Sequence, residues 1–208
     1  MKCVGGMWLP DGDRHFATVF APNGRYHQEH LIEDALEFVR SRELAFDIGA
    51  HVGYLTRKML EYFDRVVAWG PAESNYECLV KNVDMGRVET RQWAVSDYFG
   101  CADLRNPAPE NSGAWEMVKG AGPIVVGTLM EGTWPGLVKI DVQGMEAAVL
   151  RGGERLFKTA KPVIVIEAND ENGVSALLEG WGARRMMTAR RDQIWAWPVT
   201  SDPLMLEK

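Results

Sequence analysis

Three acidic residues stand where runs of apolar residues give way. Asp47 follows Leu44-Ala45-Phe46, Asp141 follows Leu137-Val138-Lys139-Ile140, and Glu167 follows Val163-Ile164-Val165-Ile166. Each run has the length and composition of a buried strand. In open α/β sheets, ligands bind beyond the carboxyl ends of the strands. Three carboxylates gathered on that edge predict an electronegative cleft, which suits a cationic ligand such as a sulfonium. Strand-end acids also cap following helices, and that is the competing use of each one taken alone.

The densest local signal is Asp47-Ile48-Gly49-Ala50-His51-Val52-Gly53-Tyr54. Gly49 and Gly53 fall between a strand and a helix, where glycine permits a tight turn and close approach of a ligand. A helix beginning near His51 would aim free N–H groups at that ligand. The carboxylate of an amino-acid cofactor or a dinucleotide phosphate would fit there. The third glycine of the dinucleotide fingerprint and a phosphate-loop lysine are both missing. His51 is close enough to act on a ligand, although a lone histidine at a helix start is more often a structural hydrogen-bonder. Asp11, Asp13 and His15 share one loop and have no fourth metal ligand in view, which reads as a solvated turn and not a metal site.

The elements that would carry these residues alternate. The segment 7–23 reads as a loop-rich lead-in with a short strand at Ala17–Phe20. Apolar positions Leu31, Ala35, Leu36 and Val39 predict an amphipathic helix over 27–42. Strands are expected at 44–47, 65–69, 88–95, 136–141 and 162–167. Helices are expected after His51, over 74–82 with Ser74 as N-cap, over 145–159 with a break at Gly152-Gly153, and over 173–180. Residues 100–123, rich in Gly and Pro, predict a meander of short strands and turns. Strands near 183–187 and 193–197 close the chain as an antiparallel hairpin, with Trp195 and Trp197 on one face and Ile194 and Ala196 on the other. This alternation predicts an α/β domain with a mostly parallel central sheet. One domain spans 1–208, with 1–43 as N-terminal lead-in and helix and 44–208 as core.

Of the 208 residues, 46% are apolar and 25% charged, an ordinary globular balance. The net charge of −6 argues against nucleic acid as the main partner. Arg184, Arg185, Arg190 and Arg191 read as a solvated hairpin face. Cys3, Cys78 and Cys101 have neither zinc-ligand spacing nor a disulfide pattern, which points to a reducing cytoplasm. No stretch is apolar enough to span a bilayer. The eight tryptophans are expected to pack in the core, as are Trp8 and Phe16, which could otherwise roof the site.

Taken in order, these segments resemble the FkbM-type methyltransferases. Asp47-Ile48-Gly49-Ala50-His51-Val52-Gly53 is similar to that family's first motif, and Val66 to Pro71 followed by Asn75, Leu79 and Asn82 to its second. Ala94-Val95-Ser96-Asp97 is similar to its adenine-side segment, Val138 to Glu146 to its fourth motif, and Pro162 to Glu167 to its fifth strand. Trp8 to Phe16 is similar to the start of short stand-alone members, including many encoded by phages. The resemblance implies a Rossmann-like class I methyltransferase fold. It also implies S-adenosylmethionine as donor, S-adenosylhomocysteine as product, and a hydroxyl oxygen of a small molecule or glycan as acceptor. It places Asp47, Gly49, Ala50, Gly53 and Tyr54 at the cofactor's amino-acid end. Gly70, Pro71, Glu73 and Asn75 fall about its ribose, Ser96 and Asp97 near its adenine, and Gln143 and Asp141 near its methyl group. Asp141, Glu167 and His51, in that order, are the candidate general bases.

Two positions depart from the family pattern. Gly70 stands where the family has a glutamate that receives both ribose hydroxyls, and Glu73 is the nearest substitute. Gln143 replaces the acid of Asp-Val-Glu-Gly, keeping shape and hydrogen-bonding capacity without the charge. Both changes remove negative charge from one cleft. They motivate a second reading, a catalytically lapsed descendant kept as a binding or assembly module. A nucleic-acid methyltransferase is the third reading, and the chain has no Asn-Pro-Pro-Tyr-type motif to support it.

Overall fold

A computed structural model describes residues 1–20, 28–129, 132, 134–168 and 173–198. Its spine is a seven-stranded sheet. In spatial order the strands are β12 (Arg184–Ala189), β13 (Asp192–Ala196), β11 (Val163–Glu167), β10 (Leu137–Ile140), β3 (Leu44–Ile48), β4 (Arg65–Trp69) and β5 (Val88–Arg91). The five strands from β11 to β5 run parallel, and β13 and β12 return antiparallel as the expected hairpin.

Side-chain alternation divides the core between the two sheet faces. Leu44, Phe46, Ile48, Val138, Ile140, Ile164, Ile166, Trp195 and Trp197 pack on one side. They meet α5 (Glu146–Gly152), α6 (Glu154–Ala160) and α7 (Val174–Gly180) through Val149, Leu150, Phe157 and Leu178. Ala45, Leu137, Val163, Val165, Ile194 and Ala196 face the other side. There they meet α2 (Glu29–Ala35), α3 (Tyr54–Met59) and α4 (Glu73–Asn82) through Leu31, Ile32, Leu55, Met59 and Leu79. The expected split of Trp195 and Trp197 from Ile194 and Ala196 is present. The break at Gly153 separates α5 from α6 as expected. Arg184, Arg185, Arg190 and Arg191 are exposed.

Four expected elements differ. Residues 15–20 form a helix, α1 (His15–Phe20), and not a strand. The reason is Asp13, whose Oδ1 accepts hydrogen bonds from the amides of Phe16 at 2.8 Å and Ala17 at 3.1 Å and so caps the helix. The helix expected over 27–42 shortens to α2, because i→i+3 bonds take over from Leu36 onward; His27 lies outside the described residues. Helix α4 begins at Glu73 with Ala72 as N-cap, so Ser74 sits inside the first turn.

The strand expected over 88–95 divides, and this has the largest consequence. After β5 the chain leaves the main sheet, and β6 (Ala94–Val95) joins a second sheet of order β6-β9-β7-β8 with β7 (Gly100–Arg105), β8 (Glu116–Lys119) and β9 (Ile124–Gly127). This small sheet is the expected meander. A short hairpin, β1 (Lys2–Val4) and β2 (Met7–Leu9), packs Met7 and Leu9 with Phe16, Val52 and Cys78. Among the described residues, no helix is long and apolar enough to cross a membrane.

Candidate active site

The acids at the carboxyl edge of the sheet do not stand alone. Strands β3 and β10 are in register, with Asp47 beside Lys139. Lys139 Nζ lies 2.7 Å from Gly49 O, 3.2 Å from Asp47 Oδ1 and 4.0 Å from Asp141 Oδ2. Burial works against charge on this amine, but the Asp47 and Asp141 carboxylates outweigh it and hold its pKa above the ordinary lysine value. Thr56 Oγ1 donates to Asp47 Oδ2 at 2.6 Å. The electronegative edge expected from sequence is therefore reduced and not cancelled: a buried ammonium neutralises Asp47, while Asp141 and Glu167 still line the second cleft. Asp47 holds that ammonium and the first turn of α3, and lines neither of the two clefts described below.

Asp141 has a second partner, Gln143 Nε2, at 2.9 Å from its Oδ1. A glutamate at 143 would set two carboxylates against each other, so the amide turns repulsion into a clamp. Gln143 adopts φ +53, and the loop around it is held by buried Glu146, which accepts from Val142 N at 3.3 Å and Gly144 N at 3.0 Å. Glu167 lies along the same edge. Burial, followed by the nearby Asp141 and Asp192 carboxylates, raises its pKa to about 7, and Arg191 opposes the shift.

The glycine loop differs from expectation in one respect. Gly49, His51 and Gly53 all have positive φ, so the chain is left-handed there and α3 begins only at Tyr54. The helix does not start near His51. The amides of Gly49 and Ala50 are taken by Trp69 O at 3.0 and 2.8 Å. A Cβ on Gly49 would fall 1.8 Å from Asp141 O, which explains why only glycine fits between β3 and the β10 loop. Gly53 is required by Leu79 of α4, at 2.6 Å from its would-be Cβ, and so serves packing.

His51 Nε2 lies 2.6 Å from Ser112 Oγ, in the loop between β7 and β8. Ser112 Oγ and N both donate to Asp13 Oδ2, at 2.5 and 2.8 Å. Asn75 Nδ2 donates to Ser112 O at 2.7 Å. Asp11 and His15 are exposed, as a solvated turn predicts, but Asp13 is 1% exposed: its carboxylate ties the N-terminal segment to the small sheet.

Two clefts open at this edge and meet at Gly49, His51, Gly113, Asp141 and Gln143. The first, ≈ 670 Å³, runs past Gly70, Pro71 and Asn75 to Trp93, Ala94 and Val95. The small sheet roofs it with Leu104, Trp115 and Met117. Two polar atoms of lining residues, Trp69 Nε1 and Asn75 Oδ1, are buried and have no hydrogen-bond partner among the described residues. Among the described residues a Cβ on Gly70 would meet only His51 O, at 3.9 Å, so room remains where the family carries its glutamate. The second cleft, ≈ 750 Å³, is bounded by His15, Phe16, Tyr54, Lys139 and Glu167.

The structure thus gathers Gly49, His51, Gly70, Pro71, Asn75, Asp141 and Gln143 on the first cleft, and Ala50, Tyr54 and Glu167 on the second. It leaves Glu73 exposed at the start of α4 and outside both linings. Ser96 is buried behind the cleft wall, and Asp97 pairs with Arg151 at 2.8 Å. Sequence reasoning missed Lys139, Trp93, Trp115 and Ser112. A lysine inside an otherwise apolar strand was a readable signal for the first. Trp93 and Trp115 are half-buried lining residues, and Trp8 and Trp134 are 37% and 51% exposed, which corrects the expectation that the tryptophans all pack in the core. Phe16 is 4% exposed and does both jobs, packing on Met7 and walling the second cleft.

The strand order, with its antiparallel β13 and the cleft at the carboxyl edge, defines the class as a Rossmann-like methyltransferase fold. Within that class the chain belongs to the FkbM methyltransferase family: residues 47–184 match the model of the methyltransferase FkbM domain. Among solved structures it is similar to methyltransferase FkbM from Methylobacillus flagellatus KT, at 18% identity and a TM-score of 0.52. That alignment covers 89% of this chain but 48% of the other, so the chain spans about half that protein's length. It is also similar to precorrin-6y C5,15-methyltransferase from Geobacter metallireducens GS-15, at 16% identity and a TM-score of 0.51, covering 82% of this chain and 88% of that one. No curated protein matches the chain in sequence.

Proposed function

We propose that this chain transfers a methyl group from S-adenosylmethionine to a hydroxyl oxygen of a small molecule or glycan. The observation that carries the reading is the apolar and aromatic cleft beside the glycine loop, which runs from Asp141 and Gln143 past Gly70 and Asn75 to Trp93 and Trp115. Its middle stretch, at Gly70, Pro71 and Asn75, leaves open space beside a polar side chain, as a ribose needs. The other lining residues fit the rest of the cofactor. Trp93, Trp115 and Met117 offer apolar and aromatic surface to an adenine, and the turn at Gly49 lines the end of the cleft where the amino-acid group would lie. When bound, S-adenosylmethionine supplies a methyl group on a sulfonium sulfur, which departs as the thioether of S-adenosylhomocysteine.

The second cleft holds the acceptor. Phe16 and Tyr54 supply faces for a sugar or similar ring, and Lys139, Asp141 and Glu167 supply polar contacts. Glu167 is the favoured proton acceptor, because a base titrating near 7 is matched to neutral conditions. Asp141, clamped by Gln143, and His51 act as orienting groups. The net charge of −6 supports a small acceptor over nucleic acid. The unpaired thiols of Cys3, Cys78 and Cys101 favour a reducing cytoplasm.

Calorimetric titration with S-adenosylmethionine and S-adenosylhomocysteine, beside Gly70→Glu, tests the reading. Micromolar binding of both by the natural chain supports it. Binding by the variant alone makes the lapsed binding module, motivated by Gly70, the better description.

A further inference from the structure

Ser112 has one hydroxyl hydrogen, and its two neighbours compete for it. Asp13 Oδ2 accepts from Ser112 N and Oγ, while Oδ1 accepts from the amides of Phe16 and Ala17. Four donors converge on this carboxyl. Burial favours its neutral form, but the Ser112 and helix-cap hydrogen bonds outweigh that and keep it below the usual carboxylate range. An ionised carboxylate has no hydrogen to give, so Ser112 donates to Asp13. Its oxygen must then accept from His51, 2.6 Å away, which places the ring hydrogen on Nε2. Burial lowers His51 to about 4, with Lys139 and His15 acting in the same direction and Asp13 against it. The ring therefore carries one hydrogen at neutral pH.

Nδ1 of His51 is left with a bare lone pair. It has no hydrogen-bond partner among the described residues and is not one of the buried orphaned atoms. Its residue lines both clefts where they meet. The edge of Phe16, with ring centroids 5.1 Å apart, holds the imidazole plane from the other side.

We propose that Asp13 and Ser112 are positioning residues that fix His51 as its Nε2–H tautomer, so that Nδ1 accepts a hydrogen bond from the hydroxyl of the bound methyl acceptor and orients its oxygen, the proton passing to Glu167 on methyl transfer. The fixed tautomer follows from the hydrogen-bond chain alone; the role of the lone pair rests on the methyl-transfer reading above. The arrangement separates substrate from product. An alcohol has a hydrogen for Nδ1, whereas the methyl ether formed from it presents lone pairs to a lone pair and is released.

Long-range proton–nitrogen correlation NMR on protein labelled with nitrogen-15 histidine tests this, with His51→Asn identifying the resonance. A single Nε2–H tautomer at pH 7 is expected. Ser112→Ala should give mixed tautomers, and Ser112→Thr, which keeps the hydroxyl, should restore one. A wild-type ring protonated on Nδ1 or on both nitrogens, or no change in Ser112→Ala, overturns the relay. With S-adenosylhomocysteine present, ethylene glycol should shift the Nδ1 resonance and 1,2-dimethoxyethane should not. An equal response to both, or to neither, overturns the reading of a hydroxyl hydrogen. Calorimetric binding of S-adenosylhomocysteine to the same samples reports separately on the methyltransferase reading.

Discussion

Gly70 decides how tightly the ribose is held. Its position is open to a side chain and its φ is not left-handed, so Gly70→Glu introduces a carboxylate without strain. A charge-assisted hydrogen bond contributes about 1.5–3 kcal/mol. Calorimetry should find S-adenosylhomocysteine bound about ten- to a hundredfold more tightly by the variant. Asn75→Ala should weaken binding, since it removes a polar lining residue and frees Ser112 O, which fastens the roof of the cleft. Glu167 leaves a mark on stability too. Its folded pKa of about 7 exceeds the ordinary 4.5, so the native state binds the extra proton between those values and stability falls as pH rises through them. Allowing for partial exposure, Glu167→Gln should stabilise the protein by about 2 kcal/mol at pH 8 and by little at pH 4.5. His51 runs the other way: its depressed pKa contributes stability that is lost as pH falls from 6.5 through 4. The two offset each other in the natural chain. In Glu167→Gln only the His51 slope remains, and urea unfolding at pH 4.5, 6 and 8 should show stability rising with pH up to about 6.5.

Elements are held in register by close contacts at their ends. Helix α5 ends at Gly152, whose would-be Cβ falls 1.9 Å from Ser96 O at the end of β6. Gly152→Ala should cost about 3 kcal/mol or more by forcing helix and strand apart. A Cβ on Gly180, at the end of α7, would meet none of the described residues within 4 Å. Gly180→Ala should gain up to ~1 kcal/mol from helix propensity. Thermal unfolding of the pair should therefore move in opposite directions, and equal shifts would remove the steric explanation. Strand β9 shows the same logic: a Cβ on Gly127 would fall 2.8 Å from the Trp93 ring, which stands in the cleft wall because that space is left open.

At the scale of the whole molecule, a main sheet builds the floor of the cleft and a small sheet builds its roof. The roof is fastened at Ser112, where bonds from Asn75 of α4, Asp13 before α1 and His51 of the glycine loop converge. A ligand in the first cleft touches both sheets, so its binding couples them. Hydrogen exchange should slow across residues 104–117 when S-adenosylhomocysteine is added, while the edge strand β12 stays unchanged. No protection of 104–117 in the bound protein would mean that the roof takes no part in binding.

The sequence by itself determined the main sheet. Its strands are short apolar runs separated by helices of clear period, and that information is local, which is why the strand–helix alternation, the α5–α6 break and the C-terminal hairpin could all be read from it. The strand-end acids and Gly49 were equally legible, because glycine at a tight turn is a local requirement. Tertiary structure decided what those residues face. Lys139 neutralises Asp47 only because β10 lies in register beside β3. Val88–Val95 divides between two sheets because β6 finds its partner in β9, some thirty residues further along the chain. Asp13 meets Ser112 across 99 residues. Such pairings depend on which strands become neighbours, and no periodicity within a single segment encodes that.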